Sequence, residues 1–557
     1  MSFQEGFPIP DPTPDPDSRP EAVQLELFTH RFAAIARQMG ERLQRTAVST
    51  NVKERLDFSC ALLDPGGELV VNAPHIPVHL GALGLCVRRL RETIAMEPGD
   101  VVVTNHPGFG GSHLPDVTVV TPVFAEGGGA LLGYVASRAH HAEIGGIRPG
   151  SMPPGATRLL EEGVVIPPTY LLRQGESRWE EARRLLLEAP FPTRAVEENL
   201  ADLRAAVAAN HRGAEALQGL AREHGRETVA RYMEALKARA EERLRAALAR
   251  LPSARYEAVE RLDDGAPIAA RIEIAGPGAD PAVIVDFAGS AGVHPGNLNA
   301  PPAVVRSAVL YVLRLLIAEP LPLNEGILRA VDIRIPPGML NPPFPDDPAD
   351  APAVVGGNVE TSQRLVDTLV KALGLLACGQ GTMNNLLFGN RRFGFYETVC
   401  GGAGAGPGFQ GASAVHTHMT NTRITDPEVL EHRYPVRLER FAVRAGSGGE
   451  GRWRGGDGAV REIVFLEEMS LSLLSQHRVE VPYGMEGGEP GQPGRQRLVR
   501  ASGEVEELEP IDAREVGPGD RLILETPGGG GWGRHGEESS PPQKCPGINT
   551  RAKNGAG

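Results

Sequence analysis

The strongest constraint on the fold of this 557-residue chain comes from residues 105–146. Two apolar runs, at 117–124 and 130–139, flank a glycine-rich break at 125–129. Short, β-branched apolar runs on either side of such a break are typical of a β-hairpin. Because the strands of a hairpin are antiparallel, the polar segments before the first run and after the second run meet at its open end. Both segments contain histidine and carboxylate side chains.

The numbering alone predicts how these strands pair. If 125–129 forms the loop, antiparallel pairing places Asp116 opposite Arg138 and Leu114 opposite His140. Imidazole nitrogens and carboxylate oxygens together suit zinc, manganese, iron or another borderline divalent ion. The open end of the hairpin is therefore a predicted metal site. The alternative is that these side chains only form hydrogen bonds with loop backbone.

A second hairpin is predicted at 57–71. Asp57 precedes its first strand, where a carboxylate either caps a turn or serves as a metal ligand, and both interpretations stay open. His75 and His79 come just before a predicted helix at 81–95. They either line the same site or cap that helix.

Composition argues against several classes of protein. A net charge of −13 argues against a nucleic-acid partner, which requires a basic surface. Five scattered cysteines without a CxxC pair fit a reducing cytoplasm and no disulfide framework. The N-terminal segment does not resemble a signal peptide, and no apolar run approaches the ~18 residues of a membrane span. We therefore expect a cytoplasmic protein with no membrane or nucleic-acid partner.

The order of the predicted elements indicates a mixed α+β protein. Its N-terminal part is predicted to be a multi-layer, hairpin-rich, metal-binding region, its middle section helical and its C-terminal module β-rich. A helix is predicted at 21–46, and a longer helical stretch is expected to break at 224–225. The predicted segments are a disordered arm (1–20), a metal-site α+β domain (21–193), a helical segment (194–260), an α/β domain (261–435), a β-rich C-terminal module (436–535) and a disordered tail (536–557).

Two glycine-rich motifs lie outside the hairpins. In 356–364, Asn358 occupies a predicted N-cap position and opens a helix that extends to about residue 377. The polar residues there either only cap this helix, which is favoured slightly, or let its N-terminus bind an anionic group. The segment 401–408 lacks the downstream helix and the GK[ST] ending of a phosphate-binding loop, so a nucleotide is not expected there. We predict instead a flexible or substrate-facing loop.

Seven motifs follow one another along the chain. They are KERLDFSCALLD (53–64), HIPVHLGAL (75–83), GGSHLPDVTVVTPVF (110–124), AHHAEIGG (139–146), GGNVETSQR (356–364), HTHMTNTRITDPEVLE (416–431) and TPGGGGWG (526–533). In this order they resemble the hydantoinase B/5-oxoprolinase family, which includes N-methylhydantoinase B-type subunits. The resemblance covers residues 21 to about 535, and the set is far more specific than any single motif.

The resemblance implies one subunit of a two-part, ATP-dependent enzyme. The partner, a hydantoinase A-type subunit, would be an ATPase of actin-like fold that binds ATP and phosphorylates the substrate amide or enol oxygen. The B-type subunit would hold a divalent metal (manganese, zinc, iron or magnesium) and complete the reaction. By motif, the implied metal ligands are Asp57, His113, Asp116 and His140, and the implied catalytic groups beside them are His141 and Glu143.

Two positions depart from the family pattern. His106 stands where relatives commonly have Asp, which keeps a ligand-capable group but removes a negative charge. Glu143 stands where relatives often have Asp, which lengthens the reach of the carboxylate by one methylene.

The function implied by the resemblance is ATP-dependent hydrolysis of a small cyclic amide, such as a hydantoin, 5-oxoproline or a lactam, by a hetero-oligomer. Three alternatives stay open. They are a subunit of an acetone- or acetophenone-type carboxylase, a non-catalytic partner of the ATPase subunit, and a stand-alone metallohydrolase.

Overall fold

The computed structural model of the protein describes residues 20–73, 76–276 and 278–534. The predicted mixed α+β fold is confirmed, and within these described ranges four β-sheets have helices packed against them. The predicted arm before residue 20, the predicted tail and His75 lie outside the described residues.

The helices and strands are labelled here in chain order. The α-helices are α1 (Glu21–Thr46), α2 (Thr50–Lys53), α3 (Leu80–Thr93), α4 (Leu159–Glu162), α5 (Trp179–Glu188), α6 (Val196–His224), α7 (Arg226–Leu248), α8 (Pro302–Leu315), α9 (Ser362–Ala372) and α10 (Pro427–Arg433). The strands of the first half are β1 (Phe58–Leu63), β2 (Leu69–Asn72), β3 (Val101–Thr104), β4 (Asp116–Phe124), β5 (Leu131–His140), β6 (Thr169–Arg173), β7 (Glu176–Ser177), β8 (Arg255–Arg261), β9 (Pro267–Ile274) and β10 (Val283–Asp286). Those of the second half are β11 (Val331–Arg334), β12 (Asn385–Gly389), β13 (Gly394–Thr398), β14 (Val436–Arg444), β15 (Gly458–Phe465), β16 (Met469–Leu474), β17 (Arg495–Val499), β18 (Val505–Glu507), β19 (Ile511–Val516) and β20 (Arg521–Glu525).

Both predicted hairpins belong to one seven-stranded sheet. Its strand order is β2-β1-β5-β4-β3-β6-β7, so β1 pairs with its own hairpin partner and also with β5. Helices α1 and α6 cover one face of the sheet, and α3 covers the other. Because both faces are covered, the strands are buried almost throughout rather than alternately.

The register of the central hairpin differs from the prediction. Asp116 pairs with His140, whereas the prediction placed Asp116 opposite Arg138. The cause is twofold: the loop extends one residue further, since β5 begins at Leu131, and the ladder shifts between Val123 and Phe124. Such a bulge adds one residue to one strand, which local sequence patterns do not reveal. The correction places a carboxylate and an imidazole directly opposite each other.

The middle of the chain builds a second core. Helices α7, α8 and α9 pack with a four-stranded sheet of order β11-β10-β9-β8. The predicted helix break is confirmed, since α6 ends at His224 and α7 begins at Arg226. The predicted helical segment ran too far, however, because 255–261 forms β8. This edge strand follows α7 after a turn at 249–254, and its alternation of exposed and half-buried residues was not predicted as a strand.

Two further sheets make up the C-terminal part. Their orders are β13-β12-β16-β19 and β14-β15-β20-β17-β18. The first joins β12 and β13 to β16 and β19, so its hydrogen bonds cross the predicted boundary at residue 435. The division of the chain into domains stays a prediction.

Three glycine-rich segments pack against one another beside these sheets, and we call them the glycine stack: residues 401–406, 447–456 and 527–531. Gly529 N donates to Gly456 O (2.8 Å), and Gly456 N donates to Ala403 O (2.9 Å). A Cβ added at Gly529 would overlap the carbonyl of Ala403 and lie 2.8 Å from Gly404 N. Residues 401–406 of the predicted flexible or substrate-facing loop are therefore closely packed, because these glycines permit close backbone packing, and a role facing the substrate stays a prediction.

No helix within the described ranges is both long and apolar enough to cross a membrane.

Candidate metal centre

The centre lies at the open end of the hairpin formed by β4 and β5. Asp116 is the first residue of β4, His140 is the last of β5, and His113 lies in the tight turn before β4, where its carbonyl accepts from Asp116 N at 3.1 Å. Asn105 fixes this turn, since its Nδ2 donates to Leu114 O at 2.8 Å. The fully buried Arg138 also holds it, donating from Nη2 to Gly110 O at 2.9 Å.

Three potential ligand atoms converge there. His113 Nε2 lies 3.3 Å and His140 Nδ1 lies 3.5 Å from Asp116 Oδ1, and all three side chains are buried. In a tetrahedral site with metal–ligand bonds of 2.0–2.1 Å, neighbouring ligand atoms lie about 3.3 Å apart. Asp116 Oδ1 has no hydrogen-bond partner among the described residues. The arrangement therefore fits a divalent ion, whose charge would satisfy this oxygen.

Asp57 reaches the centre from β1, the neighbouring strand. Its Oδ2 lies 3.9 Å from His140 Nδ1, and its carbonyl accepts from His140 N at 3.0 Å. Arg55 Nη2 lies 3.9 Å from the same Oδ2. The Asp57 carboxylate is thus adjacent to the centre. Its 3.9 Å separation from His140 Nδ1 is longer than the 3.3 and 3.5 Å by which His113 and His140 approach Asp116 Oδ1.

Tyr396, on β13, forms one wall of the centre. Its ring stacks on His140 with centroids 4.4 Å apart, and the Arg55 guanidinium makes a cation–π contact with the same ring, 4.8 Å from its centroid. Arg55 Nη1 also donates to Tyr396 O at 2.7 Å. This wall orients His140, and it belongs to the sheet β13-β12-β16-β19, which is formed by residues much later in the chain.

Two side chains that lie behind Asp116 occupy its other oxygen. His79 Nε2 lies 3.1 Å from Asp116 Oδ2, and the Ser112 hydroxyl donates to that same oxygen. Burial alone would raise the pKa of Asp116, but the neighbouring His113 and His79 imidazoles hold it well below its ordinary value. Asp116 therefore stays a carboxylate with one oxygen engaged and the other directed at the centre. Burial lowers the pKa of His140, which favours the neutral imidazole that a metal requires.

Asn358 reaches the centre from the second half of the chain. Its Nδ2 lies 3.1 Å from His113 Nε2, and its Oδ1 is without a partner in the described segments. The predicted N-cap role was wrong, because Asn358 lies inside a π-helical turn, Gly357–Thr361, that precedes α9. Single π-helical turns are frequent at functional sites, since they redirect a side chain out of the helical pattern.

His141 follows His140 but its ring contacts α6. Its Nδ1 lies 3.0 Å from Asn199 Nδ2. The same Nδ2 donates to Glu143 O (2.7 Å), and Asn199 Oδ1 accepts from the Thr193 hydroxyl (2.6 Å). These contacts fix the amide orientation, so His141 Nδ1 accepts a hydrogen bond and the proton of the neutral ring is on Nε2. Burial lowers the pKa of His141, which favours this neutral form.

The Glu143 carboxylate organises the loop after β5. It accepts from Gly145 N (2.8 Å) and Gly150 N (2.9 Å), and it forms an ion pair with Arg194 (3.0 Å). Burial raises its pKa, and Arg194 opposes that shift. The structure thus brings together Asp57, His113, Asp116 and His140, and it gives Glu143 a separate set of contacts.

His106, the departure from the family pattern, is not among the converging atoms. Its Nδ1 accepts from Gly108 N at 3.0 Å, and its ring lies against Phe109 and Phe344. It caps the short 3₁₀ turn Pro107–Phe109.

Comparison with known proteins gives concordant matches. The family model described as "Hydantoinase B/oxoprolinase" matches residues 21–535. The chain is 46% identical to 5-oxoprolinase 1 of Arabidopsis thaliana, over 92% of this chain and 42% of the relative. It is 29% identical to a Pseudomonas protein named as the B-type component of a D-/L-hydantoinase, over 92% of this chain and 90% of the relative.

Among solved structures, the chain resembles an ATP-dependent caprolactamase from Pseudomonas jessenii. The TM-score is 0.81 at 27% identity, and the match covers 92% of this chain and 91% of that one. The chain spans about two fifths of the length of the first curated relatives that it matches.

Proposed function

The chain belongs to the hydantoinase B/oxoprolinase family, and from that membership we propose that it is the metal-dependent catalytic part of an ATP-dependent cyclic amide hydrolase. The observation that carries the proposal is the buried convergence of His113 Nε2 and His140 Nδ1 on Asp116 Oδ1, the oxygen that no described residue engages in a hydrogen bond. The names of two relatives, 5-oxoprolinase and caprolactamase, support a ring amide as substrate.

We assign His113, Asp116 and His140 as ligands of a divalent ion, with Asp57 as a fourth. When bound, such an ion supplies Lewis acidity, which polarises a carbonyl oxygen and acidifies water. Nitrogen and oxygen donors in this combination are compatible with zinc, manganese or iron, and magnesium is disfavoured by the imidazoles. His79 and Ser112 hold the Asp116 carboxylate so that its Oδ1 faces the ion.

We assign different roles to the two groups beside the ligands. The Nε2–H of His141 donates a hydrogen bond to charge that develops on the substrate, because Asn199 keeps the proton on that nitrogen. Glu143 positions the loop after β5 through its two backbone contacts. The catalytic role predicted for Glu143 stays a prediction. The variants Glu143→Gln and Glu143→Asp would test it.

We place ATP on a hydantoinase A-type partner, which activates the amide oxygen by phosphorylation. Amide resonance makes direct attack slow, and phosphorylation turns the oxygen into a leaving group. The 5-oxoprolinase relative is more than twice as long as the matched region, which leaves room for an ATPase part, and the hydantoinase relative is named as one component of a larger enzyme. The close-packed glycine stack offers no phosphate cradle, in keeping with a nucleotide site elsewhere.

We further propose a cytoplasmic hetero-oligomer, in keeping with buried thiols such as Cys86 and Cys400.

The test is an assay of ring opening by the chain together with its A-type partner, using 5-oxoproline, hydantoin and caprolactam with and without ATP. We expect ATP-dependent turnover that falls at least ~100-fold in Asp116→Asn and His113→Gln, with loss of bound metal. His294→Gln is the matched control, since it replaces the imidazole of another His–Asp pair (Nε2–Oδ2 of Asp264, 2.6 Å) that shares no residue with the centre.

Each alternative predicts a different result in the same assay. Bicarbonate-dependent product formation would identify a carboxylase, and turnover without ATP or partner would identify a stand-alone metallohydrolase. A well-folded, metal-free preparation that only raises the ATPase activity of its partner would identify a non-catalytic role. Full activity and metal content in Asp116→Asn would refute the site assignment.

A further inference from the structure

A second cluster of ligand-type side chains is buried elsewhere in the fold. Asp367 lies on α9, Cys378 follows α9 in the chain, and His477 follows β16. Their ligand atoms all lie within 4.8 Å of one another, and all three side chains are fully buried. The cluster, which we call the thiol cluster, shares no residue with the candidate metal centre.

Its hydrogen bonding leaves lone pairs facing its middle. His477 Nδ1 donates to the carbonyl of Glu480, which leaves Nε2 of the neutral ring unprotonated. Within the described part of the chain, neither oxygen of Asp367 has a hydrogen-bond partner. Unpartnered buried carboxylate oxygens are costly unless a cation compensates them.

The nearest protein cations do not fill that role. No guanidinium nitrogen of the buried Arg364 forms a hydrogen bond with a described residue, and its Nη1 lies 3.8 Å from Oε2 of Glu260, a carboxylate that Lys371 also contacts. His418 Nε2 approaches Asp367 Oδ1 at 3.3 Å, but with its other nitrogen 3.4 Å from the Tyr311 hydroxyl it serves at most one of the two oxygens. A divalent ion with one thiolate, one carboxylate and neutral imidazoles forms a site of zero net charge, which suits a buried position.

The geometry agrees with a metal of zinc's size. Cys378 Sγ lies 3.5 Å from His477 Nε2, which is a hydrogen-bond distance for a thiol and is also close to the about 3.6 Å between a sulfur and a nitrogen bound to one tetrahedral zinc ion. A Cβ added at Gly381 would overlap His477 Nε2 and lie 2.9 Å from Asp367 Oδ2, so a glycine keeps space open beside the cluster.

The backbone at the two histidines is also unusual. His477 has φ = 57° and His418 has φ = 54°, both in the left-handed region that non-glycine residues seldom adopt. Such conformations persist where the surroundings require them, and they concentrate at functional sites. Here they bring two imidazoles to one carboxylate.

We propose that Asp367, Cys378 and His477 bind a zinc ion that ties α9 to the segment after β16. Thiolate, imidazole and carboxylate donors together favour zinc over magnesium or calcium. Binding would replace the thiol proton of Cys378 by a sulfur–zinc bond and release that proton to solvent. The fourth position of a tetrahedral ion would be filled by His418 or by water.

Cobalt(II) substitution distinguishes this site from the first centre, because only a thiolate ligand gives a sulfur-to-cobalt charge-transfer band in the near ultraviolet. Full-length protein would be stripped with a chelator, reloaded with cobalt(II) and examined by absorption spectroscopy and elemental analysis. We expect the band in the wild type, in Asp116→Asn and in Cys400→Ser, which removes another buried thiol. We expect Cys378→Ser to lose the band and one equivalent of metal.

The Asp116→Asn spectrum keeps the test decisive even if Cys378→Ser does not fold, because this variant leaves the thiol cluster intact. Absence of the band in cobalt-loaded Asp116→Asn would overturn the proposal. A band that survives in folded Cys378→Ser but disappears in Cys400→Ser would overturn it as well. Failure of the first centre would leave this result untouched, since the two sites have no ligand in common.

Discussion

His79 Nε2 lies 3.1 Å from Asp116 Oδ2, and both side chains are buried. Ser59 Oγ lies 3.0 Å from Nδ1 of the same imidazole, so a hydroxyl, a ring and a carboxylate form one chain of hydrogen bonds. Partners of this kind fix the orientation of a ligand without touching the metal.

We expect His79→Ala to weaken metal affinity about 10- to 100-fold, because Asp116 would lose the donor that holds its Oδ2. Metal titration of the stripped protein would measure the change, and excess metal should restore ring opening. His79→Gln, which can still donate, should lose less than His79→Ala. Unchanged affinity in His79→Ala would contradict the positioning role.

Glu143→Gln should destabilise the protein by roughly 1–3 kcal/mol. The glutamine oxygen can accept from Gly145 N or Gly150 N but not readily from both, and the charge facing Arg194 is lost. Chemical denaturation would give the change in unfolding free energy. Glu143→Asp, which keeps the charge but is shorter, should recover stability only in part.

The same variants separate positioning from catalysis at Glu143. If Glu143 acts only by positioning the loop, kcat should fall in both variants while the shape of the pH–rate profile is preserved. Loss of the acidic limb of that profile in Glu143→Gln, with stability intact, would instead identify Glu143 as a general base.

Glu162 should make stability depend on pH. Burial raises its pKa to about 8, although Val354 N and Val355 N donate to its Oε1 at 2.9 and 2.8 Å. Because the folded state holds the proton more tightly than the unfolded state, this contribution is complete below about pH 4.5 and is lost as the pH rises through about 8. Within that window the loss is about 1.4 kcal/mol per pH unit.

Glu162→Gln should abolish this part of the pH dependence, since the neutral amide oxygen can keep both backbone contacts. Denaturation midpoints of wild type and variant, measured from pH 5 to 8, would show a difference that grows with pH. The adjacent, half-buried Glu161, whose Oε2 accepts from Thr157 N and Arg158 N, supplies the control variant Glu161→Gln. Parallel midpoint curves for wild type and Glu162→Gln would refute the prediction.

Gly529→Ala should be destabilising, at or above the upper end of the ~1–3 kcal/mol that overpacking costs. The added methyl would meet backbone atoms of residues 403 and 404, which cannot move like a side chain. Gly517→Ala is the matched control, because a Cβ there meets no described atom within 4 Å and should change stability by less than ~0.5 kcal/mol. Equal stability of the two variants would show that the glycine stack adjusts freely.

Local sequence patterns predicted much of the frame of the candidate site. Glycine-flanked, β-branched runs indicated both hairpins, and Asp116 and His140 lie at strand ends as expected. The predicted pairing of these strands was wrong by two residues, because the loop is one residue longer and a bulge adds another, and a bulge follows from packing against neighbouring strands rather than from local sequence.

The surroundings of the site were beyond local reasoning. Asn358 and Tyr396 reach the histidines from 245 and more residues away along the chain, and a contact of this range depends on the complete tertiary fold. The sequence allows His79 to be either a site residue or a helix cap; its side chain forms no cap and contacts Asp116 instead.

The spread of the centre along the chain has a consequence for its assembly during synthesis. Asp57, His113, Asp116 and His140 leave the ribosome well before Asn358 and Tyr396 do. Because N-terminal regions generally fold first, the hairpins would present an open, metal-competent half-site while the rest is still being made. The Tyr396 wall beside His140 is added only later, so under the proposed metal assignment an ion would first bind while this side of the centre is still open.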